Sequence, residues 1–153
     1  MRLDRDFREF IECCVAHEVR FLIVGGYAVA AHGHPRFTKD IDVWLWIDQR
    51  NAERLIAVLD DFGFGSLGLT ANDFIEPEVV VQLGYPPKRI DLLTSIDGVT
   101  FDECYPDRLV VDIEDGFSVP FIDRTNLLKN KRAAARPQDL ADVAALETSA
   151  EDT

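Results

Sequence analysis

The stretch Phe21-Leu22-Ile23-Val24-Gly25-Gly26-Tyr27-Ala28-Val29-Ala30-Ala31-His32-Gly33-His34-Pro35-Arg36-Phe37-Thr38-Lys39-Asp40-Ile41-Asp42-Val43 decides the fold. It opens on four apolar residues, a run that suits a short buried strand. Gly25-Gly26 stop that run. Residues 27–32 are good helix material, and Gly33 followed by Pro35 ends them. Residues 40–47, Asp-Ile-Asp-Val-Trp-Leu-Trp-Ile, are rich in β-branched and aromatic side chains and predict a second strand.

Outward from this unit, residues 4–18 carry Phe7, Phe10, Ile11, Cys14 and Val15 at helical spacing on one face. Residues 50–62 repeat that pattern with Leu55, Ile56, Val58, Leu59 and Phe62, and Gly63, Gly65 and Gly68 mark turns after it. Strands are predicted at 78–83 and 89–94. Tyr85-Pro86-Pro87-Lys88 between them reads as the turn of an antiparallel hairpin. A second hairpin fits 108–114 and 117–122, with Asp115-Gly116 at its turn. Residues 123–147 predict two helices, with Pro137 opening the second, where its missing N–H costs nothing. The expected class is α/β (α+β): a mixed, largely antiparallel-containing sheet of about four to six strands with flanking helices.

The chain has 153 residues, which suits one domain, 1–153, with a C-terminal helical segment at about 123–147. A chain of this size buries about 70% of its unfolded surface and needs no disulfide or zinc staple. With 47% apolar and 29% charged residues it is globular in composition. The net charge of −12 disfavours non-specific wrapping of nucleic acid, because phosphates would be repelled. No apolar run approaches the ~20 residues of a membrane span, and the charged start, residues 1–6, lacks a signal-peptide core. Three cysteines, two of them adjacent, are expected to be reduced thiols of a cytoplasmic protein without membrane partners.

Asp40 and Asp42 lie two apart on a predicted strand, so both side chains leave one face, with Cα atoms roughly 6–7 Å apart. Such a pair can hold a hard divalent cation. Ile41, Val43, Leu45 and Ile47 form the opposite, apolar face. The spacing alone is weak evidence. Asp4 and Asp6 share it at a helix start, where acids suit the dipole, and Asp112 and Glu114 share it beside a turn, where acids face water. Context sharpens the reading. Thirteen residues separate Gly26 from Asp40, and the strand–glycine–helix junction before them leaves backbone N–H groups free for an anion. A plain tight turn is the alternative for the glycines. Asp91 is the candidate third acid, because a charged residue between Ile90 and Leu92 needs a partner. A salt bridge to Arg89 or Arg36 is the alternative for it.

With these residues in place, the run from Phe21 to Val43 resembles the core motif of the nucleotidyltransferase superfamily related to DNA polymerase β. The form with His32-Gly33, Arg36, Thr38 and Asp40-Ile41-Asp42 is similar to the minimal bacterial branch that includes AbiEii-like and MenT-like toxins. The tail, Leu127 to Val143, resembles the C-terminal signature of that branch: Lys, a short helix, Arg-Pro, then Asp-Leu-x-Asp. The resemblance implies that Asp40, Asp42 and Asp91 are catalytic and bind Mg²⁺ or Mn²⁺. It also implies that Gly25, Gly26, Arg36, Thr38, Lys131 and Arg136 contact nucleotide or phosphate. One departure is Gly26, followed by Tyr27, where many relatives carry a serine hydroxyl.

Residues 124–136 hold Arg124, Lys129, Lys131, Arg132 and Arg136 and no acid. This is either a solvated helix face or a countercharge for a triphosphate. Arg132 and Arg136 have i, i+4 spacing, whereas Lys131 and Arg132 diverge by ~100°. Asp139 and Asp142 either favour the helix dipole or, for Asp139, orient Lys131 or an arginine. Trp44 and Trp46 share the acid pair's face, as core or as a wall for a base. His17, His32 and His34 form no recognisable zinc motif, since no Cys/His quartet has usable spacing.

The expected activity is transfer of a nucleoside monophosphate from an NTP to a hydroxyl or phosphate acceptor, which is tRNA, protein or a small molecule. The alternatives are a nucleotide- or partner-binding module of a toxin–antitoxin pair, with a cognate antitoxin, and an antibiotic-type small-molecule nucleotidyltransferase. With no obvious second domain, a homodimer or an open cleft would present the acceptor.

Overall fold

The computed structural model describes residues 3–36, 38–85, 88–113 and 116–151. Its first helix, α1 (Arg5–Ala16), starts where the Asp4 carboxylate accepts the Asp6 N–H. Phe7, Phe10, Ile11 and Cys14 are its buried face. The three large side chains contribute about 5–9 kcal/mol of gross transfer free energy, against about 1 kcal/mol for a cap, so packing holds this helix. Val15, expected on that face, is 36% exposed.

Strand β1 (Phe21–Val24) is buried at every position and runs straight into α2 (Gly25–Ala31). The expected strand–glycine–helix junction is present, with the glycines themselves as the first helical residues instead of a plain tight turn, and Gly25 makes the change of direction at φ +69°. Strand β2 (Ile41–Leu45) is shorter than the predicted 40–47. Its end is set by Asn51 at the start of α3 (Gln49–Asp61). The buried Asn51 amide donates to the carbonyls of Arg20 and Trp46, and its oxygen accepts the Arg20 N–H. These bonds satisfy backbone groups that further pairing would have used.

Strands β3 (Val80–Leu83) and β4 (Ile90–Leu93) form the expected antiparallel pair, with the Pro86-Pro87 turn outside the described residues. Strands β5 (Leu109–Ile113) and β6 (Phe117–Phe121) form the second. Of their expected turn, Gly116 is described and Glu114 and Asp115 are not. Asp112 is exposed, as expected, and accepts the Ser118 hydroxyl. A short helix not anticipated from periodicity, α4 (Phe101–Cys104), is bracketed by a Thr100/Glu103 capping box. Helices α5 (Arg124–Ala134) and α6 (Pro137–Glu151) close the chain, and Pro137 is the first residue of α6 as expected.

The fold is thus mixed α/β. Six strands lie in the order β3-β4-β2-β1-β6-β5. β1 pairs antiparallel with β2 and parallel with β6, and β2 pairs parallel with β4. The central strands are buried on both faces, whereas edge strands β3 and β5 alternate toward solvent. Among the described residues no helix is long and apolar enough to cross a membrane.

Candidate functional site

Register brings the acids together. Asp42 on β2 is the pairing partner of Asp91 on the adjacent parallel strand β4, so their side chains leave the same face. Asp40 precedes them on the same strand side. Antiparallel pairing sets Val24 beside Asp42, which delivers Gly25 to the carboxylates. A cleft of about 450 Å³ forms there. All nine sequence candidates line it: Gly25, Gly26, Arg36, Thr38, Asp40, Asp42, Asp91, Lys131 and Arg136.

The two glycines have a specific steric reason. A Cβ on Gly25 would come within 2.1 Å of Asp42 Oδ2, and one on Gly26 within 2.7 Å of the Thr38 side chain. What approaches these glycines is the site's own Asp42 and Thr38, so each opens room for a neighbour across the cleft.

The carboxylates are crowded. Asp91 is buried, and Asp42 is pushed up to about 7, first by burial and then by the charge of Asp91, with Asp40 adding and Lys131 opposing. Arg89 supplies local compensation. Its Nε and Nη2 donate to the two oxygens of Asp91 at 2.8 and 3.2 Å, and Nη2 also lies 2.8 Å from Asp40 Oδ2. The salt-bridge alternative for Asp91 is therefore realised, through Arg89. Asp40 Oδ1 is buried without a hydrogen-bond partner among the described residues. The residues that could hold Mg²⁺ or Mn²⁺ are Asp40, Asp42 and Asp91, hard oxygen donors at one cleft, with Arg89 bridging Asp40 and Asp91 in this structure.

The rear wall is a buried ionic cluster. Lys131 Nζ lies 3.0 Å from Asp139 Oδ1 and 3.1 Å from Asp142 Oδ2, and all three residues are buried. Arg36 Nε donates to Asp142 at 2.9 Å, and Arg136 Nε donates to Asp139 at 2.7 Å. Burial pushes both aspartates up. Hydrogen bonds from Arg136 and Lys131 to Asp139, and from Arg36, Lys131 and Gln138 to Asp142, outweigh it and hold both below the usual range.

Most cations of the basic tail have acidic or carbonyl partners within the chain. Arg124 donates to the Leu146 carbonyl, Arg132 pairs with Glu147, and Lys131 and Arg136 pair with Asp139. Three of its five cations, Arg124, Lys131 and Arg132, thus bind α5 to α6, and Arg136, in the link between the helices, pairs locally with the first turn of α6. The Arg132/Arg136 i, i+4 pair does not form, because Ala135 at φ +53° ends α5 between them. Lys131 and Arg132 do diverge, one buried and the other exposed.

Neither tryptophan lines the carboxylate cleft. Trp44 is core, edge-on to Phe101 at 5.2 Å. Trp46 carries the Arg20 guanidinium 4.5 Å over its ring, at the opposite end of β1 and β2. His32 reaches the Ile122 carbonyl at 2.9 Å, a tertiary tie from α2 to the end of β6.

Sequence reasoning missed a second lobe of about 360 Å³. It shares Gly25, Asp42, Lys131 and Arg136 with the first and is walled by Val80, Leu93, Ile96 and Asn130. Its residues come from β3, β4, the loop after β4 and α5, and no local pattern joins them. No family model matches the chain, and no curated protein matches it.

Proposed function

We propose that this chain is a divalent-cation-dependent nucleotidyltransferase that moves a nucleoside monophosphate from an NTP to a hydroxyl or phosphate acceptor. The observation that carries the reading is the meeting at one cleft of Asp42 and Asp91, in register on adjacent strands, with Asp40 just before β2, one of whose oxygens has no partner among the described residues. The resemblance of residues 21–43 and 127–143 to the polymerase β-related superfamily points the same way.

Under this reading Asp40 and Asp42 hold the cation and Asp91 faces the acceptor oxygen, where it takes up the proton released on attack. The bound cation would supply charge neutralisation of the triphosphate and activation of the acceptor oxygen. Lys131 and Arg136 lie where the two lobes meet. There they would stabilise the departing pyrophosphate, with Lys131 held in place by Asp139 and Asp142. Two lobes that share Asp42 suit a two-substrate transfer, the polar lobe for the triphosphate and the partly apolar one for the base or the acceptor.

Incubation with α-labelled NTPs, Mg²⁺ and a panel of tRNA, protein and small-molecule acceptors tests this. Label should move with wild type and fall by at least about 10³-fold with Asp40→Asn or Asp42→Asn. Equal transfer by both variants refutes the roles. The Arg89 bridge between Asp40 and Asp91 favours a second reading, a nucleotide- or partner-binding module such as half of a toxin–antitoxin pair, with its acids already neutralised. Calorimetric NTP binding without turnover on any acceptor selects it.

A further inference from the structure

Helices α1 and α3 end side by side. Phe10 of α1 packs edge-on against Phe62, the residue that caps α3, at 5.4 Å and 84°. Neither helix has a basic residue in its last turn, and α3 ends on Asp60-Asp61. Two helix C-termini and two acids leave that corner negative, and a cation is favoured there.

Three donors of different chemistry meet at this corner. Cys13 lies in the last turn of α1 and His17, four residues on, is its C-cap. His17 Nε2 lies 2.6 Å from Asp61 Oδ2, and the sulfur, the ring nitrogen and the carboxylate oxygen all lie within 4.8 Å of one another. Cys13 and His17 are half-buried and Asp61 is exposed, so the corner is sheltered on one side and open to entry on the other. None of the three lines the carboxylate lobes. The sequence conceals the trio, because Asp61 is 44 residues from His17.

We propose that Cys13, His17 and Asp61 form a metal site that takes zinc, or another borderline divalent transition metal, with a fourth position open to water. A thiolate, an imidazole and a carboxylate suit zinc and do not suit Mg²⁺, which demands oxygen donors. Zinc at about 2.0–2.3 Å from each donor sets donor–donor spacings of roughly 3.3–3.8 Å. The His17–Asp61 contact has to open by about 0.7 Å, and any spacing to the sulfur has to close by about 1.3 Å or less, within the reach of side-chain rotation. Binding exchanges the Cys13 thiol proton for the metal. One proton leaves to solvent, the Zn–S bond forms, and no electron moves. The metal would clamp α1 to α3, independently of the activity proposed above.

The test uses the full chain, stripped with chelator and titrated with Co²⁺. A single equivalent should produce a near-ultraviolet thiolate-to-cobalt band and tetrahedral visible bands, both removed by added Zn²⁺. Cys13→Ser should abolish the thiolate band while circular dichroism stays native. Asp61→Asn should weaken cobalt binding by about 10-fold or more. Zinc at 100-fold over its Kd should raise Tm by about 5–10 °C in wild type and not in Cys13→Ser. No thiolate band below about 1 mM cobalt, or a band retained by Cys13→Ser, overturns the proposal. The readout is spectroscopic, so loss of nucleotidyl transfer leaves it standing, and the reverse holds too.

Discussion

Replacing Lys131 with methionine removes the cation that bridges Asp139 and Asp142 at 3.0 and 3.1 Å. The three residues are 4%, 1% and 2% exposed, so the two carboxylates cannot turn to water. Removing one partner of a buried ionic pair costs about 3–5 kcal/mol, because an uncompensated charge is left behind. Arg136 still reaches Asp139 and Arg36 still reaches Asp142, which sets the expectation at the low end, about 3 kcal/mol. For a chain of this length that is a Tm loss of roughly 6–12 °C. Arg5→Ala is the control: its pair with Glu9 is 82% and 44% exposed, so solvent screens it and its loss should leave Tm unchanged.

The pH dependence gives the prediction its sign. Asp139 and Asp142 lie below the usual carboxylate value in the folded protein, so their contribution is complete above about pH 4 and is lost as pH falls through their folded values. Without Lys131 the opposing effect of burial gains weight, the folded carboxylates hold protons more readily, and the deficit narrows on acidification. Urea denaturation followed by circular dichroism at pH 7.5 and 4.5 checks both points. A deficit under about 1 kcal/mol at pH 7.5, or one unchanged at pH 4.5, refutes the claim that a desolvated charge is what Lys131 compensates.

Gly25→Ala should lose more stability than Gly33→Ala. Both have positive φ and share a strain of about 1–2 kcal/mol, but only at Gly25 does the new Cβ strike Asp42 Oδ2, whereas nothing lies within 4 Å at Gly33. Parallel thermal melts, with Mn²⁺ binding as a second readout, test the difference. Asp42 titrates near 7 in the fold and near 4 in the unfolded chain, so wild-type stability should fall as pH rises from about 4 to about 7 and then level off. Asp42→Asn lacks that slope, so metal-free melts should find it more stable than wild type at pH 8 and converging with it at pH 4.

Several elements were legible because their cause is local. Period-3.6 apolar spacing marks α1 and α3, and the acid pair was placed at the right strand, although Asp40 falls one residue before β2 and only Asp42 is on it. The Thr100-x-x-Glu103 box that starts α4 was also present to be read, although a helix of four residues is too short for periodicity to reveal. The nine candidates reach one cleft because the motif itself sets strand, glycine, helix and strand in order, and Pro137 and the aspartates after it fold the tail back.

The hairpin pairings were legible, but the pairing of strands distant in sequence was out of reach. That Asp91 would lie in register with Asp42 depends on a parallel β2–β4 contact across nearly fifty residues, and nothing local encodes that register. The tail's cations could be counted in the sequence, but only packing showed that α6 consumes most of them. Arg89 as a bridge between Asp40 and Asp91, the second lobe, and the Cys13–His17–Asp61 corner all arise between elements distant in sequence. The sequence by itself therefore determined which chemistry is available: three acids, two glycines and a basic tail around one α/β unit. The tertiary structure alone decided which charges face each other, because electrostatic partners are chosen by distance in space, and that distance is set by strand order and helix docking.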